Sequence, residues 1–341
     1  MSDTSAINDT KSDLRVLVLG GTGTAGSATV RALQRAGYTV TCLVRTSEPE
    51  SSLELIRQRA AIPGSVNVHA CNVTEPLSLR NKGFKTGKYD VLVSCLASRT
   101  GASDDAWLID YQTHSQALAL AKEFGVAQFI LLSALCVQKP LLDFQHAKRK
   151  FEKELIGSDL TYSIVRPTAF FKSLSGQVER VRRGKPFLVF GDGKLTSCKP
   201  ISDDDLGDYI TSCIVDTDKH NKILPIGGPG PAITPLEQGE YLFRAMQKEP
   251  QFRHVPINVL DGTIRLLRLF GRFNKTCSAK AELASIGRYY ATESMLVLNQ
   301  ATGQYDEDNT PSFGADTLQA YYDKLINGSE TVKLNEHTVF D

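Results

Sequence analysis

The sequence predicts an α/β protein: a Rossmann-type, doubly wound parallel sheet with a smaller C-terminal substrate lobe. Three observations predict it. Short β-branched apolar runs alternate with helical patterns over the first 165 residues. A glycine-rich turn stands directly between the first run and the first helical pattern. After Arg166-Pro167 the alternation stops, and Gly and Pro cluster at 184–186, 191–193 and 225–231.

The strands expected are 16–19, 39–44, 66–69, 91–94, 129–132 and 162–165, each nearly continuous in apolar residues. Strands covered by helices on both faces read in this way. Helices are expected at 23–36, 53–61, 105–124 and 143–155, with Gly37 and Gly125 placed as left-handed C-caps. Further helical patterns cover 236–247 and 262–273, and a strand at 223–225 is expected to return to the sheet. The domains predicted are a disordered arm 1–13, a dinucleotide-binding domain 14–166, a partly interleaved lobe 167–326 and a polar tail 327–341.

Composition narrows the function classes. Lys and Arg number 39 against 38 Asp and Glu, for a net charge of +1. A nucleic-acid binder would show a basic excess or tract, so no nucleic-acid partner is expected. With 41% apolar and 23% charged residues the chain has an ordinary globular composition. Its seven cysteines are dispersed without a CxxC pair, the pattern of reduced thiols and not of a disulfide framework or a metal site. The longest apolar run, 129–137, is too short to cross a bilayer. The opening MSDTSAINDTKSD has three Asp and no Arg, unlike a secretory or transit peptide, which predicts a cytoplasmic protein.

Residues 16–26 read VLVLGGTGTAG. Gly20 permits a tight turn, Gly23 admits a pyrophosphate to the backbone, and Gly26 lets helix and sheet pack closely. Thr22 and Thr24 lie in the same turn and are candidate cofactor contacts. At the end of the second strand the first polar residue is Arg45, and no acid occurs before Glu48. A base there suits a 2′-phosphate where an acid would suit a free ribose, so NADPH is the cofactor expected. Asn72, after the third strand, is a candidate for the adenine edge.

Ligands of open parallel sheets bind beyond the carboxyl ends of the strands. Three segments fall there: 94–99, 133–140 and 166–171. The helix after the fifth strand carries Phe144-Gln145-His146-Ala147-Lys148. This resembles the Tyr-x-x-x-Lys pair of the short-chain dehydrogenase/reductase superfamily, in which i, i+4 spacing sets both side chains on one helical face. By that resemblance Lys148 holds the nicotinamide ribose, while Phe144 stands where the proton-donating tyrosine would be. Carbonyl reduction concentrates charge on one oxygen and needs a poised acid nearby. A conjugated alkene spreads the charge, so loss of the phenol points to alkene reduction or to a non-catalytic dinucleotide sensor.

Several longer stretches resemble one family closely. VSCLASR (93–99), LLSALCVQKPLLDFQHAK (131–148), TYSIVRPTAFFKSLSGQVE (161–179), CKPIS (198–202), LPIGGPG (224–230), GRYYATESML (287–296) and TPSFG (310–314) carry it. The chain is similar to the divinyl chlorophyllide a 8-vinyl reductases, atypical short-chain dehydrogenases/reductases related to NmrA-like proteins. The resemblance implies NADPH-dependent reduction of the 8-vinyl group of a divinyl chlorophyllide or protochlorophyllide, a magnesium tetrapyrrole, to ethyl in chlorophyll or bacteriochlorophyll synthesis. It also implies a photosynthetic source: a bacterial cytoplasm, or a plastid if the chain is trimmed. Hydride would reach the terminal vinyl carbon and the macrocycle would take up the charge, with Ser133, Tyr162 or water as the proton source. Phe170, Phe171, Tyr289 and Tyr290 are candidate walls for the flat pigment. Two alternatives stay open at this point: a non-catalytic NADP(H)-binding regulator, and a reductase of a small phenolic.

Residues 262–273, GTIRLLRLFGRF, place Arg265, Arg268 and Arg272 on one helical face. Such a helix either lies on an anionic membrane surface or presents a solvated basic face in the lobe.

Overall fold

The computed structural model describes residues 14–45, 52–271 and 274–328. The strands used below are β1 (Arg15–Leu19), β2 (Thr39–Val44), β3 (Asn67–Ala70), β4 (Val91–Ser94), β5 (Gln128–Leu132), β6 (Thr161–Pro167), β7 (Phe187–Phe190), β8 (Lys222–Ile226) and β9 (Phe252–Val255). Seven of them form one parallel sheet in the order β3-β2-β1-β4-β5-β6-β8. The chain reverses its direction of growth between β1 and β4, and this opens the crevice where such sheets bind ligands. The expected returning strand at 223–225 is β8, which pairs with β6.

Alternation along β1 divides the core. Val16 and Val18 face a layer containing Val30 and Leu33 of α1 (Thr24–Arg35) together with Leu206 and Ile210, whereas Leu17 and Leu19 face Phe84, Phe129, Phe151 and Leu155. All four β1 side chains are fully buried, as a central strand requires. Helix α2 (Leu53–Arg59) follows β2, and α3 (His114–Glu123) and α4 (Asp143–Ile156) cover the second face.

The expected single helix at 105–124 departs from α geometry. A short α-turn at Ser103–Ala106 passes into a π-helical stretch at Trp107–Thr113 before α3 begins. Within it the Thr113 hydroxyl donates to the Leu108 carbonyl at 2.8 Å and His114 Nδ1 lies 2.8 Å from the Ile109 carbonyl. Both contacts span five residues, the spacing of a π-turn. Such widened turns gather at functional sites. Periodicity missed it because a single extra residue shifts the apolar face without abolishing it.

Beyond β6 the short helix α5 (Val178–Arg182) opens the lobe, yet α6 (Asp203–Ser212) returns to the first domain and packs on α1. A Cβ on Gly207 would stand 2.8 Å from the Ala28 carbonyl, so the two backbones touch. Arg31–Asp204 (2.8 Å) and Arg35–Asp208 (2.7 Å) flank that contact. In the lobe, β7 pairs in parallel with β9 beneath α7 (Pro235–Ala245), around Phe171, Phe187, Leu242, Phe243 and Tyr322. Helices α8 (Ile257–Gly271) and α9 (Lys275–Thr292) pack as a hairpin, and α10 (Leu318–Ile326) closes the lobe against α7. The arm 1–13 and tail residues 329–341 lie outside the described residues. Among the described residues no helix is long and apolar enough to cross a membrane.

Gly207→Ala should destabilise the fold by about 1–3 kcal/mol, because the added methyl meets backbone that has nowhere to move. Gly262→Ala on exposed α8, where a Cβ meets nothing within 4 Å, should instead stabilise by about 0.5–1 kcal/mol. Urea melts of the two variants test the pair, and a neutral Gly207→Ala would contradict the close approach.

Candidate functional site: a dinucleotide cleft with a buried lysine

The glycine-rich turn leaves β1 and enters α1 beside the end of β4. Gly20 has φ +76°, and a Cβ there would lie 2.8 Å from the Cys95 carbonyl group. A Cβ on Gly26 would lie 2.1 Å from the Gly20 carbonyl oxygen. Packing within the chain therefore accounts for both glycines. Gly23 differs: its φ of −72° suits any residue, and a Cβ would meet protein only at 3.4 Å. The space kept clear at Gly23 is on the cleft side, where Thr22, Gly23 and Thr24 are all exposed.

Gly23 is the N-cap of α1, no side chain caps that end, and its first turn holds no acid. Free N–H groups and the helix dipole are left to meet an anion. The cradle at Gly23 and this uncapped terminus fit a dinucleotide's pyrophosphate. Arg45 is exposed just past β2, where a 2′-phosphate would approach. Asn72 spends its side chain locally: Nδ2 donates to Glu75 at 2.9 Å, and Oδ1 accepts from the Thr74 hydroxyl at 2.9 Å. An adenine contact by Asn72 would have to replace that turn.

Lys148 lies on α4, with only 8% of its surface exposed. Its ammonium pairs with Asp110 Oδ1 at 2.9 Å, and the same oxygen accepts from the Ser98 N–H at 3.2 Å. The sequence reading missed Asp110. Its one signal was an acid on the apolar side of a helical pattern, and the π-turn that aims it was invisible. Removing both charges from water costs several kcal/mol per ion, which the close contact offsets in part. Asp110 thus holds Lys148 in a fixed position at the cleft. Ser133, at the exit of β5, is buried with an Oγ that finds no partner among the described residues. An unpaired buried hydroxyl costs about 1–3 kcal/mol, so it marks a place where a ligand's polar atom would be welcome.

Behind Lys148 sits His114, fully enclosed, with Nδ1 against the Ile109 carbonyl and Nε2 2.9 Å from the Ser94 hydroxyl. The carbonyl can only accept, so Nδ1 carries the proton and Nε2 accepts from Ser94. Burial, reinforced by the Lys148 charge, pulls this imidazole down to about 4. It is a neutral prop at physiological pH. Four of the thiols are poor nucleophiles: burial pushes Cys42, Cys95, Cys198 and Cys213 up to about 12.

Phe144 is half-buried where a tyrosine was the alternative, packed with Leu142 against Cys136, Tyr289 and Met295. Three expectations need correction. Phe171 is 3% exposed and packs in the lobe core against Tyr321, with ring centroids 5.4 Å apart, so it walls no slot. Tyr289, also 3% exposed, donates from its hydroxyl toward the Cys136 and Lys139 carbonyls at 2.9 and 3.0 Å and acts as a strut. Tyr162 begins β6, at the amino end of the sheet and about 15 Å along the strand from the cleft, so it cannot donate a proton there. Phe170 stays half-buried at the sheet's carboxyl edge, and Tyr290 is 44% exposed beside Cys136.

On α8 the buried side chain is Ile264, while Val259, Leu266, Leu269 and Phe270 are all more than half exposed. The basic-face expectation holds for Arg265 and Arg268, which are both exposed, but the outward side of the helix also carries this apolar area. Arg268 turns toward α9, with its guanidinium 3.3 Å from the Ser285 hydroxyl. Arg272 lies outside the described residues.

His114 makes stability depend on pH with a definite sign. Its folded pKa lies below the unfolded value of about 6.5, so below that pH the unfolded chain binds a proton the native state refuses. The stabilising contribution is complete above pH 6.5 and is lost as pH falls toward 4, by about 3 kcal/mol. Urea unfolding at pH 7 and pH 4.5 should show this loss in the native sequence and a clearly shallower one in His114→Gln. Parallel pH profiles would rule out the buried neutral imidazole.

A family model described as NAD(P)H-binding matches residues 20–217. Over 336 residues the chain is 46% identical to the chloroplastic divinyl chlorophyllide a 8-vinyl-reductase of Arabidopsis thaliana, covering 94% of this chain and 78% of that one. It is 47% identical over 342 residues to the corresponding protein of Oryza sativa subsp. indica, covering 96% and 83%. In fold it resembles the leucoanthocyanidin reductase–NADPH complex of Vitis vinifera, with a TM-score of 0.65 at 16% identity over 92% of this chain and 99% of that one. Matched by the dinucleotide-binding family from the phosphate turn to beyond α6, and by these reductases along almost its whole length, the chain belongs to the divinyl chlorophyllide a 8-vinyl-reductase family.

Proposed function

We propose that this protein reduces the 8-vinyl group of divinyl chlorophyllide a to ethyl in chlorophyll biosynthesis, with NADPH as the reductant. The observation that carries the reading is the near-full-length identity to the plant reductases, which spans the cleft and the lobe together. When bound, reduced nicotinamide supplies a hydride. The chain's own groups bind and orient. The Gly20–Gly26 turn and the α1 N-terminus take the pyrophosphate, Arg45 takes the 2′-phosphate, and Lys148, fixed by Asp110, holds the ribose. Asp110 leaves Lys148 little freedom, and a rigid ribose contact is worth most where a reacting atom must meet a single carbon of a large flat substrate.

Phe144 brings no proton to the site, which suits an acceptor whose charge spreads over a macrocycle. Ser133 Oγ, lacking a partner within the described chain, is the side-chain hydroxyl placed to hold a proton or a substrate oxygen at the exit of β5. Phe170 and Tyr290 are the remaining aromatic walls for the pigment. With protein, NADPH and divinyl chlorophyllide a together, the Soret band should shift to the blue of the monovinyl product. Lys148→Ala should slow that shift about 100-fold in the fraction that circular dichroism shows to be folded, and Lys148→Ala/Asp110→Ala, which leaves no buried charge unpaired, should be as slow. No shift with the native sequence would defeat the assignment, and an unaffected Lys148→Ala would remove the lysine's role.

The outward apolar face of α8 supports a peripheral membrane contact. Val259, Leu266, Leu269 and Phe270 bring apolar area, and Arg265 at the border suits anionic headgroups. Replacing Leu266, Leu269 and Phe270 by Ser should abolish co-sedimentation with anionic liposomes, while Arg265→Gln should only weaken it. Equal sedimentation of the triple variant and the native chain would exclude α8 as the contact.

A further inference from the structure

The segment that leaves β6 for the lobe turns back over the phosphate turn. Its first helical residue, Lys172 of the 3₁₀ turn Lys172–Ser175, donates from Nζ to the Thr24 hydroxyl at 2.9 Å. Thr24 is the first residue of α1. The contact therefore sets an ammonium against the positive end of a helix whose first turn carries no acid. Among the described residues no carboxylate pairs with Lys172, although Lys139, Lys148 and Lys219 each find one. Two positive ends held together across 148 residues of sequence disfavour each other until an anion joins them.

The basic residues elsewhere on α1 behave differently. Arg31 and Arg35 reach α6 and are neutralised there by Asp204 and Asp208. Among the described residues Lys172 alone donates across to α1 at its anion-binding end. An ammonium with three donors, one spent on Thr24, has the capacity and the charge to meet phosphate oxygens.

We propose that Lys172 is a lobe-borne ligand of the dinucleotide's pyrophosphate, so that a bound cofactor ties the base of the substrate lobe to the phosphate turn. The inference rests on the dinucleotide-cleft reading above and adds a residue from the segment that leads from β6 into the lobe. Since the pyrophosphate is common to both nicotinamide cofactors, Lys172 strengthens NADPH and NADH alike. Arg45 faces the 2′-phosphate and favours NADPH alone.

Direct titration of nicotinamide fluorescence separates these roles without any turnover. Lys172→Gln keeps a donor for Thr24 and removes the charge. It should weaken both NADPH and NADH about tenfold or more, the scale of a lost charge-assisted hydrogen bond. Lys172→Arg should stay near the native affinity, and Arg45→Gln should weaken NADPH alone. Thermal melts without nucleotide should not fall in Lys172→Gln, since the anionic partner is then absent and the repulsion from the helix end goes with the charge. Native affinity for both cofactors in Lys172→Gln, or a loss confined to NADPH, overturns the proposal while leaving the cleft reading intact. A native protein that binds neither cofactor overturns both.

Discussion

Backbone touching backbone at a few points is the constraint on which this molecule depends. A side chain at Gly26 would meet the Gly20 carbonyl at 2.1 Å, and one at Gly228 would meet the Pro200 carbonyl at 2.0 Å. At Gly20 and Gly207 the corresponding encounters, with Cys95 and Ala28, occur at 2.8 Å. The Gly20, Gly26 and Gly228 contacts lie at the carboxyl end of the sheet, and the Gly207 contact locks the helix that begins there. They hold the exit of β1 against that of β4 and the exit of β8 against the segment around Pro200. Any Cβ at these points would push those exits apart, and the groups gathered between them would lose their common focus.

Inside that frame the costly feature is the Lys148–Asp110 pair. Two charges are taken out of water, and one Asp110 oxygen is left without a partner among the described residues. Stability alone does not favour such an arrangement, since apolar residues of similar volume often do as well or better. What the pair provides is position. The π-turn at Trp107–Thr113 rotates Asp110 inward, and the neutral His114 fills the space behind, hydrogen-bonded at both nitrogens. With a tyrosine at position 144 the lysine would share its duty with a phenol. With Phe144, orientation is what the lysine has to offer, and a rigid mount is the matching adaptation.

Much of this was legible in the sequence. The six early strands and the returning one were visible because doubly covered strands are written as continuous apolar runs, and the phosphate turn because its glycines fall between a strand and a helix. Lys148 and Ser133 followed from their places after the fifth strand. The π-turn was not legible, since its signature is a one-residue displacement within a helical pattern, and Asp110 went unseen with it. Phe171 and Tyr289 were read as pigment walls because an aromatic near a cleft and an aromatic in a lobe core look identical in one dimension. Strands β7 and β9 and helices α5, α6, α9 and α10 were missed; β7 and β9 are four residues each, and their single ladder joins residues far apart in sequence.

The lobe explains why the segments most distinctive of the family lie far apart in the chain. Gln138 binds the Leu296 carbonyl at 2.7 Å and the Leu298 N–H at 2.9 Å, and Tyr289 reaches the carbonyls of Cys136 and Lys139. Lys139 pairs with Glu293 at 2.7 Å, and Glu293 accepts in turn from the Tyr305 hydroxyl at 2.6 Å. The loop after β5 and the end of α9 are thus one polar structure, built from two sequence segments about 150 residues apart. A second such structure joins Lys199 to the Thr310 carbonyl and Gly227 to the Pro311 carbonyl. The loop that carries Cys136 is the one that leaves Ser133, so the far segments of the lobe set the conformation of the cleft floor. Substitutions in those segments act on the cleft through the backbone they hold, and both ends of each contact have to change together for its geometry to survive.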